Sequence, residues 1–246
     1  MRRLAAVMLA FSMVLAACGS DASPEPDRPP LGSPPDPGDV PESDGLSDDL
    51  RDRVVASTVR VSGVACGRST EGSGFAVADN LVVTNAHVIL GLDEPTVQLF
   101  DGTELSAVPV AFDPVADLAV LRVDGAAFVP LPLGTAPDHT VGAVFGWERG
   151  PVVEPTPFRI DRPVTVRIEA VGTNERIERK SWLVAAFIES GDSGAALVDD
   201  DGVVVGIAYA TTTRGAGVGY AIRASELEAL IAEGFDDNPV IPGCSQ

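Results

Sequence analysis

Glu189-Ser190-Gly191-Asp192-Ser193-Gly194-Ala195-Ala196 is the stretch that decides how this chain is interpreted. It places a serine between two glycines, just before an apolar segment. A hydroxyl attacks a carbonyl carbon only when a base takes its proton and backbone N–H groups stabilise the oxyanion that forms. Glycine lets the chain bend so that the N–H groups of Gly191 and Ser193 can point into one cavity. Because glycine, aspartate and serine are also common in turns, this stretch alone leaves a catalytic serine and a plain turn both open.

Candidate partners for this serine lie upstream. His87, one of only two histidines, follows Thr84-Asn85-Ala86, and Asp117 begins the apolar run 117–121. The order histidine, aspartate, serine is one of three known chain orders of the catalytic triad. The sequence therefore predicts His87 as the base, Asp117 as the group that orients it and Ser193 as the nucleophile. Asp113 competes with Asp117 for this role, and His139, in a Pro-Asp-His turn, is assigned none.

The motifs TNAH at 84–87, DLAVL at 117–121 and GDSG at 191–194 together resemble the trypsin-like serine proteases, specifically their bacterial HtrA-like branch. The runs 65–75 and 93–97 are similar, more narrowly, to the actinobacterial periplasmic acid-resistance serine proteases. The resemblance covers residues 46–246. It implies an all-β fold of two six-stranded antiparallel β-barrels (chymotrypsin-like), at about 54–128 and 140–222, with a short C-terminal helix. It also implies an oxyanion hole made by the N–H groups of Gly191 and Ser193.

Local patterns add detail to this fold. Alternating apolar and polar residues predict one strand over 104–112 and two separate strands over 156–160 and 164–171. Ser225 and Glu228 form a capping-box pattern that predicts a helix over 225–233, ended by Gly234.

The resemblance also implies where the substrate binds. The pocket for P1, the residue before the scissile bond, would be lined by Phe187, Ile188, Ala208, Tyr209, Ala210 and Thr211. Phe187 stands where a trypsin-type pocket keeps an acid, so an apolar P1 preference is expected. After Gly194 the family usually has a second glycine, whereas this chain has Ala195, whose extra Cβ is expected to crowd the strand. No metal and no cofactor are expected.

The N-terminus predicts export. A positive start and an apolar run too short to span a bilayer predict a signal peptide over 1–17. The run ends at Cys18 in a pattern similar to a bacterial lipobox, which predicts lipidation of Cys18; an ordinary cleaved signal peptide is the alternative. Residues 18–45, rich in Pro, Asp, Ser and Gly, predict a disordered linker. Cys66 and Cys244 remain as a pair for a disulfide, with two free thiols as the alternative.

The charge limits the partners. A net charge of −19 argues against nucleic-acid binding, which needs basic patches. The sequence thus predicts a monomeric serine endopeptidase that is tethered to the outer face of the cell membrane, extracytoplasmic or periplasmic, and cleaves cell-envelope proteins or peptides. The competing hypothesis is an inactive protease fold that serves as a binding module or scaffold. An esterase is disfavoured because the Gly-x-Ser-x-Gly elbow is absent.

Overall fold

The computed structural model describes residues 35–92, 94–147, 155–211 and 217–243, with only the backbone of Thr211. Three helices and thirteen strands occur in these ranges. In chain order they are α1 (Asp48–Ser57), β1 (Thr58–Ala65), β2 (Arg68–Ala78), β3 (Leu81–Thr84), α2 (Ala86–Ile89), β4 (Thr96–Gln98), β5 (Glu104–Ser106), β6 (Val108–Asp113), β7 (Leu118–Arg122), β8 (Val141–Phe145), β9 (Thr156–Glu169), β10 (Arg176–Ala186), β11 (Ala196–Asp199), β12 (Val204–Thr211), β13 (Val218–Arg223) and α3 (Ala224–Glu233).

The first seven strands form one antiparallel sheet in the order β5-β4-β1-β2-β3-β7-β6. Strands β5 and β6 lie at opposite edges of this sheet, although only Ala107 separates them in the chain. Since one residue spans at most about 3.6 Å, the two edges must approach each other. The sheet therefore curls into a first barrel, and the N–H of Ala107 donates to the carbonyl of Pro95 (2.9 Å) at the corner.

The remaining six strands close into a second barrel in the order β10-β13-β12-β11-β8-β9, with β9 paired back to β10. All the strand pairings in both sheets are antiparallel. The predicted all-β fold with two antiparallel β-barrels and a short C-terminal helix is confirmed, but the first sheet has seven strands rather than the six predicted.

The structure differs from the predicted strand limits in both barrels. The segment 104–112 is divided into β5 and β6, because it pairs with β4 at one sheet edge and with β7 at the other. Conversely, 156–160 and 164–171 belong to one long strand, β9, which runs through Pro163. The register shifts opposite Leu183 and Val184 of β10, where Asp161 is the extra residue of β9 between Arg162 and Ile160. Such a bulge leaves one residue unpaired and bends the strand locally without ending it.

The C-terminal helix begins earlier than predicted, and the predicted capping box is wrong. The N-cap residue of α3 is Arg223, which makes no side-chain capping bond. The reason is that β13 runs directly into the helix, so Ser225 already lies inside the first turn. Gly234, with a φ of 91°, ends the helix as predicted.

The core lies partly between the two barrels. One cluster of buried side chains contains Phe75 and Val120 from the first barrel together with Phe145 and Ile207 from the second. Each barrel also has a core of its own. The shared cluster therefore packs the two barrels against each other.

The end of the predicted linker contacts β9 and α1. The carbonyl of Pro37 accepts a hydrogen bond from Arg159 Nη2 (2.9 Å), and the carboxylate of Asp44, which is buried, pairs with Arg51 of α1. The structure therefore places residues 35–45 against the domain rather than in a free tether. Cys18 and Cys244 lie outside the described residues. Within the described ranges no helix is both long and apolar enough to cross a membrane.

Candidate active site

His87 and Asp117 are in direct contact. Nδ1 of His87 lies 2.9 Å and 3.0 Å from the two carboxylate oxygens of Asp117, and the backbone N–H of His87 donates to Oδ1 (3.0 Å). The carboxylate is buried, whereas 38% of the histidine side chain is exposed. A buried carboxylate at Nδ1 holds the proton on that nitrogen, so Nε2 is the nitrogen that can accept a proton from the cleft.

The backbone of Asp117 has an unusual conformation. Its φ of 62° is in the left-handed region, which costs a non-glycine residue about 1–3 kcal/mol. The buried Asn85 side chain holds this backbone by donating from Nδ2 to the carbonyl of Asp117 (3.0 Å). Asn85, the N-cap residue of α2, thus fixes the backbone of Asp117, and His87 in the same helix fixes its side chain.

The competing candidates have other roles. Asp113 Oδ1 accepts the N–H groups of Val115 (2.8 Å) and Ala116 (2.9 Å), so its carboxylate stabilises the turn that presents Asp117. His139 is exposed in the loop before β8, where its N–H donates to the carbonyl of Ile160 (2.9 Å). The backbone of His139 therefore forms part of a turn. In the chain this turn is well separated from His87 and Asp117.

Ser193 lies in the loop between β10 and β11. This loop is closed by Asp192, whose buried carboxylate accepts the N–H of Glu189 (2.8 Å). Backbone bonds from Asp192 N to the Glu189 carbonyl (3.2 Å) and from Ala195 N to the Asp192 carbonyl (2.8 Å) form two successive turns. Gly194, with a φ of 90°, connects the loop to β12 through a bond from its N–H to the Ala208 carbonyl (2.9 Å).

The buried Ser73 of β2 joins this loop to the first barrel. Its N–H donates to the carbonyl of Ser193 (2.8 Å), and its hydroxyl donates to the carbonyl of Gly191 (2.6 Å). The same hydroxyl accepts the N–H of Trp147 (2.7 Å). Ser73 therefore fixes both residues of the candidate oxyanion hole, a role that the sequence analysis missed because the partners are more than seventy residues away.

Gly72 shows how close Ser193 comes to the helix that carries His87. A methyl group at Gly72 would lie 2.8 Å from the carbonyl oxygen of Ser193 and 2.7 Å from Cγ2 of Val88. Val88 directly follows His87. The backbone of Ser193 therefore lies close to α2, which carries His87, although no hydrogen bond between the Ser193 hydroxyl and His87 is found among the described residues.

The two candidate oxyanion donors are Gly191 and Ser193. The φ of Gly191 is 116°, a conformation that glycine adopts without the penalty a side chain would bring. Among the hydrogen bonds found between described residues, neither the N–H of Gly191 nor that of Ser193 is used as a donor. Both N–H groups are thus available to an oxygen atom in the cleft.

The pocket candidates do not all face the same space. The ring of Phe187 is 47% exposed and lies near Gly217, whereas Ile188 is buried in the core of the second barrel. Ala208 is fully buried, and the Tyr209 hydroxyl is engaged with Ser181 Oγ (2.9 Å). Ala210 is half-buried, and the side chain of Thr211 lies outside the described residues.

Ala195 and Ala196 occupy the positions after the nucleophile turn. Both are fully buried, Ala195 in the core of the second barrel and Ala196 in the shared core between the barrels. Their methyl groups therefore form part of the packing that supports the turn.

Arg179 of β10 is a further residue at this site that sequence reasoning missed. Its Nη1 lies 3.3 Å from Oδ2 of Asp117, and both side chains are almost completely buried. A signal was present in the sequence, because Arg179 stands at an inward-facing position between Ile177 and Ser181 in the two-residue alternation of β10. A charge on the inner face of a strand requires a partner.

A family model described as the trypsin-like peptidase domain matches residues 72–207. The chain belongs to the trypsin-like peptidase family. The predicted family resemblance is thereby confirmed. A curated relative, the serine protease Rv3671c of Mycobacterium tuberculosis, is 32% identical over 200 residues, which cover 77% of this chain and 50% of the relative. Mitochondrial serine protease HTRA2 of Bos taurus is 34% identical over 180 residues, covering 69% of this chain and 37% of the relative. This chain thus spans at most about half the length of these curated relatives.

Solved structures agree with this assignment. The crystal structure of the Rv3671c protease from M. tuberculosis in its active form is 26% identical to this chain, with a TM-score of 0.72. The alignment covers 97% of this chain and 99% of the chain in that structure. The inactive form of the same protease is 27% identical with a TM-score of 0.68, covering 80% of this chain and 97% of that one.

Proposed function

We propose that this trypsin-like peptidase is an active serine endopeptidase with Ser193 as nucleophile, His87 as general base and Asp117 as the orienting carboxylate. The observation that carries the proposal is the pair of bonds from His87 to the buried carboxylate of Asp117, opposite a serine that Ser73 holds against the first barrel. A binding module has no physical need for a half-exposed histidine on a buried carboxylate beside a serine in a glycine turn.

In the proposed reaction, Nε2 of His87 takes the proton of the Ser193 hydroxyl as its oxygen attacks the scissile carbonyl carbon. The imidazolium that forms is stabilised by the negative charge of Asp117, and it then protonates the leaving amine. The N–H groups of Gly191 and Ser193 donate to the oxyanion of the tetrahedral intermediate. A water molecule then attacks the acyl-enzyme with the same histidine as base, which releases the second product and restores the serine.

Labelling with a fluorophosphonate tests the proposal, because this reagent phosphonylates a serine only when a base activates it. The full chain should be labelled stoichiometrically, and Ser193→Ala should not be labelled. Ser190→Ala is the matched control: this serine is exposed in the same loop, three residues from Ser193, and its variant should be labelled like the parent. A folded parent that resists labelling at every pH would instead support the scaffold hypothesis.

We further propose an apolar P1 preference, supported by the half-exposed Phe187 ring at the position of the trypsin-type acid. A peptide library should be cleaved mainly after apolar residues. Phe187→Asp should raise kcat/KM for an Arg-P1 substrate relative to an apolar one by about tenfold, equivalent to about 1.4 kcal/mol, because it adds a charge partner. A parent that already cleaves mainly after Arg or Lys would contradict this pocket assignment.

The proposed location of the enzyme rests on its N-terminal sequence. We propose export with lipidation of Cys18, which tethers the protease to the outer face of the membrane and gives it access to cell-envelope proteins. Two or more acyl chains on one cysteine are enough for stable anchoring. A disulfide between Cys66 and Cys244 is proposed for the same oxidising compartment. The protease is proposed to act as a monomer.

A further inference from the structure

The Arg179 guanidinium forms a bridge between the barrels behind the candidate catalytic carboxylate. It is on β10 of the second barrel, whereas Asp117 is in the turn between β6 and β7 of the first. Besides the contact of Nη1 with Oδ2 of Asp117 (3.3 Å), Nε donates to the carbonyl of Val115 (2.9 Å) and Nη2 lies 3.5 Å from the carbonyl of Pro114. One guanidinium thus holds both the carboxylate and the backbone of the turn that presents it.

The guanidinium is itself held from the other side. It lies over the ring of Tyr209, 5.1 Å from the ring centre, and the Tyr209 hydroxyl is bonded to Ser181 Oγ (2.9 Å). Burial raises the pKa of the Tyr209 phenol above its ordinary value, although the Ser181 bond and the charge of Arg179 oppose this. The phenol is therefore neutral, and its contact with Arg179 is a cation–π interaction with a fixed ring.

The two oxygens of the Asp117 carboxylate make different contacts, and only Oδ2 contacts the second barrel. Oδ1 accepts the N–H of His87 and also lies 3.0 Å from Nδ1, whereas Oδ2 lies between Nδ1 (2.9 Å) and Arg179 Nη1 (3.3 Å). Rotation of the carboxylate away from His87 would break the contact with Arg179 as well. Because the ion pair is buried, it is little screened by solvent.

We propose that Arg179 is a positioning residue for the proposed hydrolysis: it fixes the carboxylate of Asp117 against His87 Nδ1 and ties the orientation of the base to the second barrel, which carries Ser193. The inference rests on the proposed function, since it deepens the role of the same triad. Arg179 acts through Asp117 and needs no contact with the substrate. A displacement of about 1 Å in such a site can lower the rate by about 100-fold.

Kinetics of Arg179→Met and Arg179→Lys test the proposal in the full chain. Methionine keeps an unbranched stem without the charge, and kcat should fall by about 10- to 100-fold with KM within about twofold, because substrate binding is not touched. Lysine keeps the charge but not the planar fork, so it should restore part of kcat and confirm the role if the methionine variant does not fold.

Arg223→Met is the matched control. Arg223 also lies over an aromatic ring, that of Trp182 (5.0 Å), and also donates to a backbone carbonyl, that of Ser181 (3.3 Å). Its replacement should lower the melting temperature about as much but leave kcat, per labelled site, unchanged. A kcat within twofold of the parent in both Arg179 variants would show that Arg179 is only structural and would overturn the proposal.

Two measurements separate this inference from the proposed function. In an Asp117→Asn background, Arg179→Met should cause no further loss of kcat, and an equal loss there would show that Arg179 does not act through the carboxylate. The low-field proton resonance of His87 Nδ1–H reports the same contact without turnover. It should be present in the parent and in Arg223→Met and be broadened by exchange in Arg179→Met. An unchanged resonance in Arg179→Met would contradict the proposal even in a chain that is inactive for other reasons.

Discussion

Asp117→Asn is expected to lower kcat by about four orders of magnitude, which is the effect of this change in other triads of this kind, with little change in KM. The carboxylate accepts hydrogen bonds from the backbone N–H and from Nδ1–H of His87. An asparagine amide can donate to Nδ1, so the ring proton moves to Nε2, and the base can no longer take the serine proton. Steady-state rates on a peptide substrate, together with the rate of fluorophosphonate labelling, measure the effect.

Folding can be preserved in this variant, because the asparagine oxygen can still accept from Arg179. Asp113→Asn is the control: this carboxylate lies in the same turn and accepts two backbone N–H groups, but its hydrogen bonds do not include His87. Because an asparagine oxygen can still accept both N–H groups, its replacement should cost about 1 kcal/mol of stability or less and leave kcat within a few-fold. Equal losses of kcat in the two variants would mean that the turn, rather than the contact with His87, determines activity.

The parts of the candidate site that lie in local motifs could be predicted from the sequence, and the structure brings two of these residues, His87 and Asp117, into contact. His87, Asp117 and Ser193 each stand in a recognisable short run, and the order of the runs restricts the fold to one with two barrels. Arg179 stands in no such run, and Ser73 lies in the run 65–75 without a partner nearby in the chain that would reveal its role. Their partners lie 62 and 118 residues away, at Asp117 and Gly191, so only the folded chain shows the contact.

Strand existence was predictable from alternation, but strand pairing was not. Nothing local to 104–112 indicates that one half pairs with β4 and the other with β7, because this depends on closure of the whole sheet. Pro163 was taken as a break, since proline cannot donate to a ladder. The strand nevertheless continues through it, because Pro163 stays in register with Trp182 of β10 and the extra residue of the bulge is Asp161 of β9, a pairing that only the folded sheet shows.

The same dependence on distant partners governs the nucleophile turn. Ser193 is bonded through its carbonyl to the N–H of Ser73 (2.8 Å), and Gly194 is bonded through its N–H to the carbonyl of Ala208 (2.9 Å). The turn therefore lies between a strand of the first barrel and a strand of the second. Any side chain added at this point must displace backbone in one of the barrels.

Gly194→Ala is for this reason expected to destabilise the fold and to abolish most activity. The φ of Gly194 is 90°, and an added Cβ would overlap the carbonyl oxygen of Ser73 and lie 2.6 Å from Thr84 Oγ1. The hydroxyl of Thr84 is itself bonded to that carbonyl (2.7 Å), so neither atom is the end of a flexible chain. Strain and overpacking together should cost at least about 3 kcal/mol. A shift of Ser193 by about 1 Å should also lower the labelling rate by about 100-fold or more.

Gly102→Ala separates the effect of backbone strain from the effect of overpacking. Gly102 has nearly the same backbone, a φ of 85°, but an added Cβ there would have no atom within 4 Å. It should therefore cost only the conformational penalty, about 1–2 kcal/mol, and leave labelling unchanged. Urea unfolding and labelling rates at a temperature where both variants remain folded make the comparison. If Gly194→Ala lost no more stability than Gly102→Ala and reacted at the parent rate, the tight approach of the two barrels at the nucleophile turn would not be needed for catalysis.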